Sequence, residues 1–162
     1  MEFELLKIKR LSGKKASFYT VVPKGAEKSL FDLFLEENSI TFKSEILDIL
    51  KRIKTIANKT GAREGFFKTK EGKPGDGICA LYDQPRSNLR LYCIRFGYEI
   101  IILGGGGPKP KSISALQENE KLTSENYQLR EVAQKIMKAI KEKEIHFSED
   151  LLDFEGDLKF ED

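Results

Sequence analysis

Histidine occurs once in the 162 residues, as His146, cysteine twice, as Cys79 and Cys93, and tryptophan not at all. One histidine and two cysteines are too few for a His/Cys metal centre or a disulfide framework. No Ser/His/Asp constellation can be assembled either, and His146 lies far along the chain beside an acidic tail. No metal and no cofactor are therefore expected. Long apolar runs are also missing. No segment approaches the roughly 20 residues of a membrane span, so a membrane is excluded as a partner. The N-terminus, MEFELLKIKR, lacks the basic-then-apolar order of a signal peptide. A cytoplasmic location is the expectation, and Cys79 and Cys93, both in apolar strand-like stretches, are expected to be buried reduced thiols.

Charge is present in both signs but unevenly placed. The chain carries 28 Lys and Arg against 26 Asp and Glu. The last 18 residues, 145–162, hold seven acids and one base, a net of −6, leaving a net of +8 on residues 1–144. A basic body suggests an anionic partner, commonly nucleic acid. An acidic tail can shield such a body or dock elsewhere. The chain is long enough for one packed core, so one domain over 1–144 and an acidic tail over 145–162 are expected.

The most informative stretch is LRLYCIRFGYEIIILGGGGPKPK, residues 89–111. Leu89, Leu91 and Cys93 alternate with Arg90, Tyr92 and Ile94, the period of a strand with two different faces. Gly97 supplies a permissive turn backbone. The return strand contains Ile100-Ile101-Ile102-Leu103, apolar on both faces and so expected at the centre of a sheet covered on both sides.

Around this hairpin the chain predicts a short list of elements. Residues 3–9 and 16–22 read as a first hairpin ended by Pro23. Residues 27–37 read as a short helix. Thr41 is a plausible N-cap for a helix with apolar residues at Phe42, Ile46, Ile49, Leu50, Ile53 and Ile56, stopped by Gly61. Glu45 is placed to support its first turn. Residues 65–70 and 78–82 complete an antiparallel meander of about four strands. After the glycines, 112–121 and then 123–144 read as helices, the second capped by Thr123 or Ser124. The tail carries Phe147, Leu151, Leu152, Phe154, Leu158 and Phe160. It is too apolar to be inert and is expected to add a strand to a sheet or cover part of the basic face. On the covering reading, its deletion strengthens RNA binding at low salt.

Candidate binding residues cluster on the meander. Lys68, Lys70 and Lys73 belong to one hairpin, Arg86 and Arg90 to the next turn and strand, and Lys109 and Lys111 to the exit after the glycines. Together they can hold a phosphate backbone, with Tyr82, Tyr92 or Tyr98 available to stack on bases. Solvated lysines are equally consistent with a plain surface. Arg90 is the sharper signal, because an arginine in an apolar strand is costly unless it is paired or placed at a site. Asp83 and Glu99 are candidate structural partners. The glycine run fails the phosphate-loop pattern, since prolines displace the lysine. It reads as a flexible strand-to-helix link, or as backbone N–H groups open to a phosphate.

Taken together, two amphipathic helices, a strand with FFKTKEG, then GICALYD, the 89–111 hairpin and a Lys/Glu-rich helix resemble the RelE/HigB-like toxins of toxin–antitoxin systems, closest to the phage-derived HigB-type branch. The similarity covers roughly residues 29–140. It implies a small α+β fold, with a twisted antiparallel sheet packed with helices. It further implies an endoribonuclease that cleaves mRNA on the ribosome without a metal, by attack of a ribose 2′-OH on the adjacent phosphate. On that resemblance Arg90 stabilises the developing charge, as the catalytic residue. Lys68, Lys70, Lys73, Arg86, Tyr92, Lys109 and Lys111 bind substrate. The implied partners are mRNA on the ribosome, a cognate antitoxin protein and, as an option, a second copy in a homodimer. The glycine run, the N-terminal hairpin and the acidic tail depart from the family pattern, and no general base is assigned. Two other readings stay open: a non-catalytic module binding RNA or protein through the same sheet, and a related toxin with another target, such as a topoisomerase.

Overall fold

The structure is a computed structural model that describes residues 1–69, 71, 77–110 and 116–162. Nine strands are described: β1 (Phe3–Lys7), β2 (Ser17–Pro23), β3 (Phe67–Lys68), β4 (Ile78–Leu81), β5 (Leu89–Phe96), β6 (Ile100–Pro108), β7 (Ile145–Phe147), β8 (Phe154–Gly156) and β9 (Lys159–Phe160). The helices are α1 (Leu30–Asn38), α2 (Lys43–Thr55) and α3 (Leu116–Lys141). Seven strands form one sheet in the order β3-β4-β5-β6-β2-β1-β9, and β7 and β8 form a separate hairpin.

The meander and the N-terminal hairpin are both present, but they are fused. β2 pairs with β6 in parallel, Ser17 opposite Ile100 through Thr20 opposite Leu103. The other pairings in this sheet are antiparallel. Local alternation cannot reveal which strands become neighbours, so this parallel join is invisible in the sequence.

The alternation in β5 separates two cores. Leu89, Leu91 and Cys93, with Ile101 and Leu103 of β6, meet Phe31 and Phe34 of α1 and Ile46, Ile49 and Ile53 of α2. Tyr92 and Ile94, with Ile100 and Ile102, meet Leu129, Val132 and Ile136 of α3. The sheet is therefore covered on both faces, and the isoleucine run of β6 is buried throughout. Cys79 and Cys93 are both buried and free, directly opposite each other on β4 and β5.

Four local expectations are corrected. First, α2 begins at Lys43 with Phe42 at its N-cap and no side-chain cap, rather than at Thr41. Glu45 does lie in the first turn of α2, but its carboxylate also reaches beyond its own helix. Its carboxylate accepts from the backbone N–H groups of Asn88 and Leu89 and from the Asn88 amide, at 2.8–3.2 Å. Second, residues 64–66 form a 3-10 turn, so among the described residues of that stretch Phe67 and Lys68 are the strand. Third, α3 is one helix that runs through Thr123 and Ser124 without a break. Fourth, the four glycines are part of β6 and not a link after it.

A bulge explains the glycines. Leu91 pairs with Gly106 but Cys93 with Leu103, so Gly104 and Gly105 together oppose Tyr92. The extra residue resets the alternation and places Gly104, Gly105 and Gly107 under α3. A Cβ there would meet Leu129 at 2.9 Å, Glu125 at 2.3 Å and Lys121 at 3.5 Å, respectively. The run lets α3 lie close to the sheet.

The acidic tail packs against residues 1–144. β9 pairs with the edge of β1, and Phe160 stacks on Phe3 with ring centroids 4.7 Å apart. Ile145 and Phe154 join the α3-side core. The Phe154 N–H donates to the Tyr19 hydroxyl at 3.0 Å. The tail's acids pair with Lys7, Lys135 and the N-terminal amino group, away from Arg90 and Lys109. Extension of the sheet, not cover for the basic face, is its observed role. Removing residues 158–162 is therefore expected to act on stability. It deletes the Phe160 ring and uncovers the β1 edge, for a loss of about 2–4 kcal/mol and a tendency to self-associate. Urea denaturation with light scattering checks this, and an unchanged midpoint would contradict it.

Candidate functional site

At the end of β5 near the β4–β5 turn, three charged side chains meet below the surface. The chain leaves β4 through Tyr82, which takes a left-handed backbone at φ 52°. That conformation is unfavourable for a bulky residue. It is held by the Tyr82 N–H donating to the Phe66 carbonyl at 2.7 Å and by the Arg52 guanidinium lying 3.9 Å over the Tyr82 ring. The sharp turn delivers Asp83 beneath β5. Its side chain is 2% exposed. Arg90 Nε donates to Asp83 Oδ2 at 2.5 Å, and Lys109 Nζ to Asp83 Oδ1 at 2.7 Å. Burial alone would raise the Asp83 carboxyl. The hydrogen bonds and charges of Lys109 and Arg90 outweigh it and hold the group below its ordinary value. Burial likewise disfavours the Arg90 cation, and Asp83 and Tyr92 more than restore it.

This triad lies in a cleft of about 520 Å³ on the α3 side of the sheet. Lys68, Arg90 and Tyr92 line the sheet side, Pro85 and Pro110 the rim, and Leu122 the helix side. Lys68, Ala80 and Tyr92 are in register across β3, β4 and β5, which puts Lys68 on the same face as Tyr92. Lys68 also pairs with Glu71 at 3.5 Å. Among the described residues, three cations (Lys68, Arg90, Lys109) against two carboxylates (Asp83, Glu71) leave the cleft a net +1. A larger hollow of about 670 Å³ lies at the start of α2, but its charges are of both signs and it holds no buried ion cluster.

The residues expected from the sequence fall into distinct positions. Arg90, Lys68, Tyr92 and Lys109 converge on the cleft. Arg86 is exposed on the β4–β5 turn, outside the lining. Lys70, Lys73 and Lys111 lie outside the described residues. Lys109 is 12% exposed, and Asp83, the Gln84 carbonyl and the Ser87 hydroxyl accept from its Nζ at 2.7, 2.7 and 2.9 Å. An ammonium has three donors, so Lys109 is saturated within the protein. Tyr92 is 4% exposed and forms floor rather than a stacking platform. Burial pushes its phenol up, against the opposing effect of the nearby Arg90 cation. Tyr82 is covered by Arg52, whereas Tyr98 is 55% exposed on the hairpin turn.

Asp83 is the residue that sequence reading undervalued. It was legible only as one of two acids able to pair with Arg90. The other, Glu99, turns back on the hairpin and accepts from the Tyr98 N–H. Asn126 of α3 was not foreseen at all. Its amide donates to the Glu71 carbonyl at 2.9 Å and so ties α3 to the segment after β3.

Chemically the cleft can hold an anion. Arginine and lysine donors face it, and apolar side chains at its rim limit water. Among its described residues no side chain is placed to act as a base. Asp83 is ionised but covered by two cations, and Tyr92 keeps its proton at neutral pH. Among the described residues no group of His, Cys, Asp and Glu is placed to hold a metal ion, and no helix is long and apolar enough to cross a membrane. Compared with models of known protein families, with curated proteins and with solved structures, the chain has no match.

Proposed function

We propose that the Arg90 cleft binds the sugar–phosphate backbone of RNA and that the protein is a toxin-type endoribonuclease acting on mRNA at the ribosome, with a cognate antitoxin as protein partner. The observation that carries this reading is convergence: Arg90, Lys68, Tyr92 and Lys109, from two strands and the exit of β6, line one cleft of net positive charge among the described residues. In the reaction the ribose 2′-oxygen bonds to the adjacent phosphorus and the bond to the 5′-oxygen breaks. Arg90 faces the negative charge that builds on the phosphoryl oxygens, where a fixed cation is most effective. The 2′-proton leaves to solvent, and the 5′-oxygen takes a proton from it.

A second reading rests on the charge balance of the same cleft. Asp83 neutralises much of Arg90 and Lys109, and among the described residues no free base lines the cleft beside them. A module that binds RNA without cutting it fits that arrangement equally well.

Primer extension on a reporter mRNA in a purified translation system separates the two. Discrete cuts that need ribosomes, and that fall about 10²–10³-fold in Arg90→Ala, are expected of the endoribonuclease. RNA retention without cuts selects the binding module. No cuts and no RNA retention by a folded protein would remove both.

A further inference from the structure

We propose that Asp83 is a positioning residue for the RNA site: it locks the Arg90 guanidinium through Nε and, with Lys109, pins the β4–β5 turn to the exit of β6, leaving Arg90 and Lys68 as the cations that meet a phosphodiester. This inference rests on the RNA reading of the cleft and divides its basic residues into those that touch the ligand and those that hold the site in shape.

The geometry separates the two groups. Asp83 uses one carboxylate oxygen for each cation, 2.5 Å to Arg90 Nε and 2.7 Å to Lys109 Nζ. It lies at 2% exposure, whereas Arg90 is 21% exposed. The carboxylate is therefore beneath the cations rather than in the path of an incoming anion. Of the five guanidinium donors, Nε carries one. Fixing that one aligns the plane that bears the remaining four. Lys109 is different, because its three donors go to Asp83, Gln84 and Ser87. It has none to give a phosphate without breaking the staple.

Two further features serve the same end. The left-handed backbone at Tyr82, immediately before Asp83, is a strained conformation held by the Phe66 carbonyl and by Arg52. Glu45 of α2 ties the far end of the same turn by accepting from the Asn88 and Leu89 N–H groups. Both ends of the Asp83–Asn88 segment are thus anchored from the opposite side of the sheet. A buried carboxylate needed only for solubility or for local turn geometry requires neither anchor.

The test uses the full chain and a labelled single-stranded RNA oligonucleotide, with affinity measured as a function of salt. Each phosphate-contacting cation contributes about 0.7 to the slope of log affinity against log salt for a single strand. Lys68→Met and Arg90→Met are each expected to lower the slope by that amount. Lys109→Met and Asp83→Asn are expected to leave it unchanged while weakening binding about tenfold. Cleavage by Asp83→Asn is expected to fall about 10²-fold, as misplaced rather than missing machinery does. A second readout does not depend on RNA. The Arg90 Nε–H resonance is expected to be sharp and slowly exchanging in the wild type and lost in Asp83→Asn, with the fold intact by backbone spectra. Asp83→Asn binding RNA as tightly as wild type would overturn the proposal, as would a slope loss in Lys109→Met. If the wild type shows no salt-dependent RNA binding, the RNA reading fails and the inferred role falls with it. A protected Nε–H in that case would show that the lock itself exists.

Discussion

Gly106→Ala is expected to be among the most damaging single substitutions in the protein, and Gly107→Ala, its neighbour, nearly silent. A Cβ on Gly106 would lie 1.9 Å from the Arg90 carbonyl oxygen and 3.0 Å from the Leu91 Cα. Both are backbone atoms of β5, so no rotamer change relieves the clash. The two central strands must separate or slide where β5 carries Arg90. The cost is about 3 kcal/mol or more, at the upper end of overpacking penalties because backbone rather than side chain must yield. At Gly107 the nearest atom is the Lys121 Cγ at 3.5 Å, an ordinary contact. There alanine is expected to be neutral or to stabilise by about 0.5 kcal/mol, since it loses less chain freedom on folding than glycine. Urea midpoints of the two variants measure the difference. Equal midpoints would mean that the bulge opposite Tyr92 is not where the pairing places it.

Asp83→Ala is the second large effect, and it carries a pH signature. Removing the carboxylate leaves Arg90 and Lys109 beside each other without their shared counter-charge, at 21% and 12% exposure. Fully buried pairs lose about 3–5 kcal/mol when one partner is deleted, and residual hydration of these two cations lowers the expected loss to about 2–4 kcal/mol. Asparagine keeps the shape and some hydrogen bonding and is expected to cost less. The folded carboxyl titrates below its ordinary value. Its charged form therefore stabilises the fold above the unfolded value, about pH 3.9, and that contribution disappears as the pH falls through the lower folded value. The stability gap between wild type and Asp83→Asn is expected to be constant from pH 7 to about 5 and to shrink progressively below about pH 4. Urea titrations at several pH values read it directly. A gap that persists unchanged at pH 3 would show that the carboxylate charge is not what holds the triad.

Much of the site was legible because Arg90 breaks a local rule. A charged residue within an apolar alternation must be paired or placed, and it is paired with Asp83. The period in β5 also told correctly that Arg90 and Tyr92 share a face, since both line the cleft. Lys109 misled for a physical reason. A lysine after a glycine run looks free, and only the folded turn brings three acceptors to its ammonium. Tyr92 misled in the same way, since α3 covers the ring from far along the chain. Glu45 illustrates the converse. Its position suits a helix N-terminus, yet the Asn88 and Leu89 N–H groups, 43 and 44 residues away, take its carboxylate.

Patterning within short windows determined the elements themselves: the alternation of β5, the two-sided burial of β6, the apolar stripe of α2, the permissive backbone at Gly97 and the strand-forming phenylalanines of the tail. Each depends on the spacing of side chains along one segment, which the chain carries locally. Tertiary structure decided the parallel contact of β2 with β6, the seating of β9 on β1, the bulge that turns the glycines toward α3 and the burial of Asp83 under two cations. These depend on which segments become neighbours, and that choice is made by the summed burial of both sheet faces rather than by any one window.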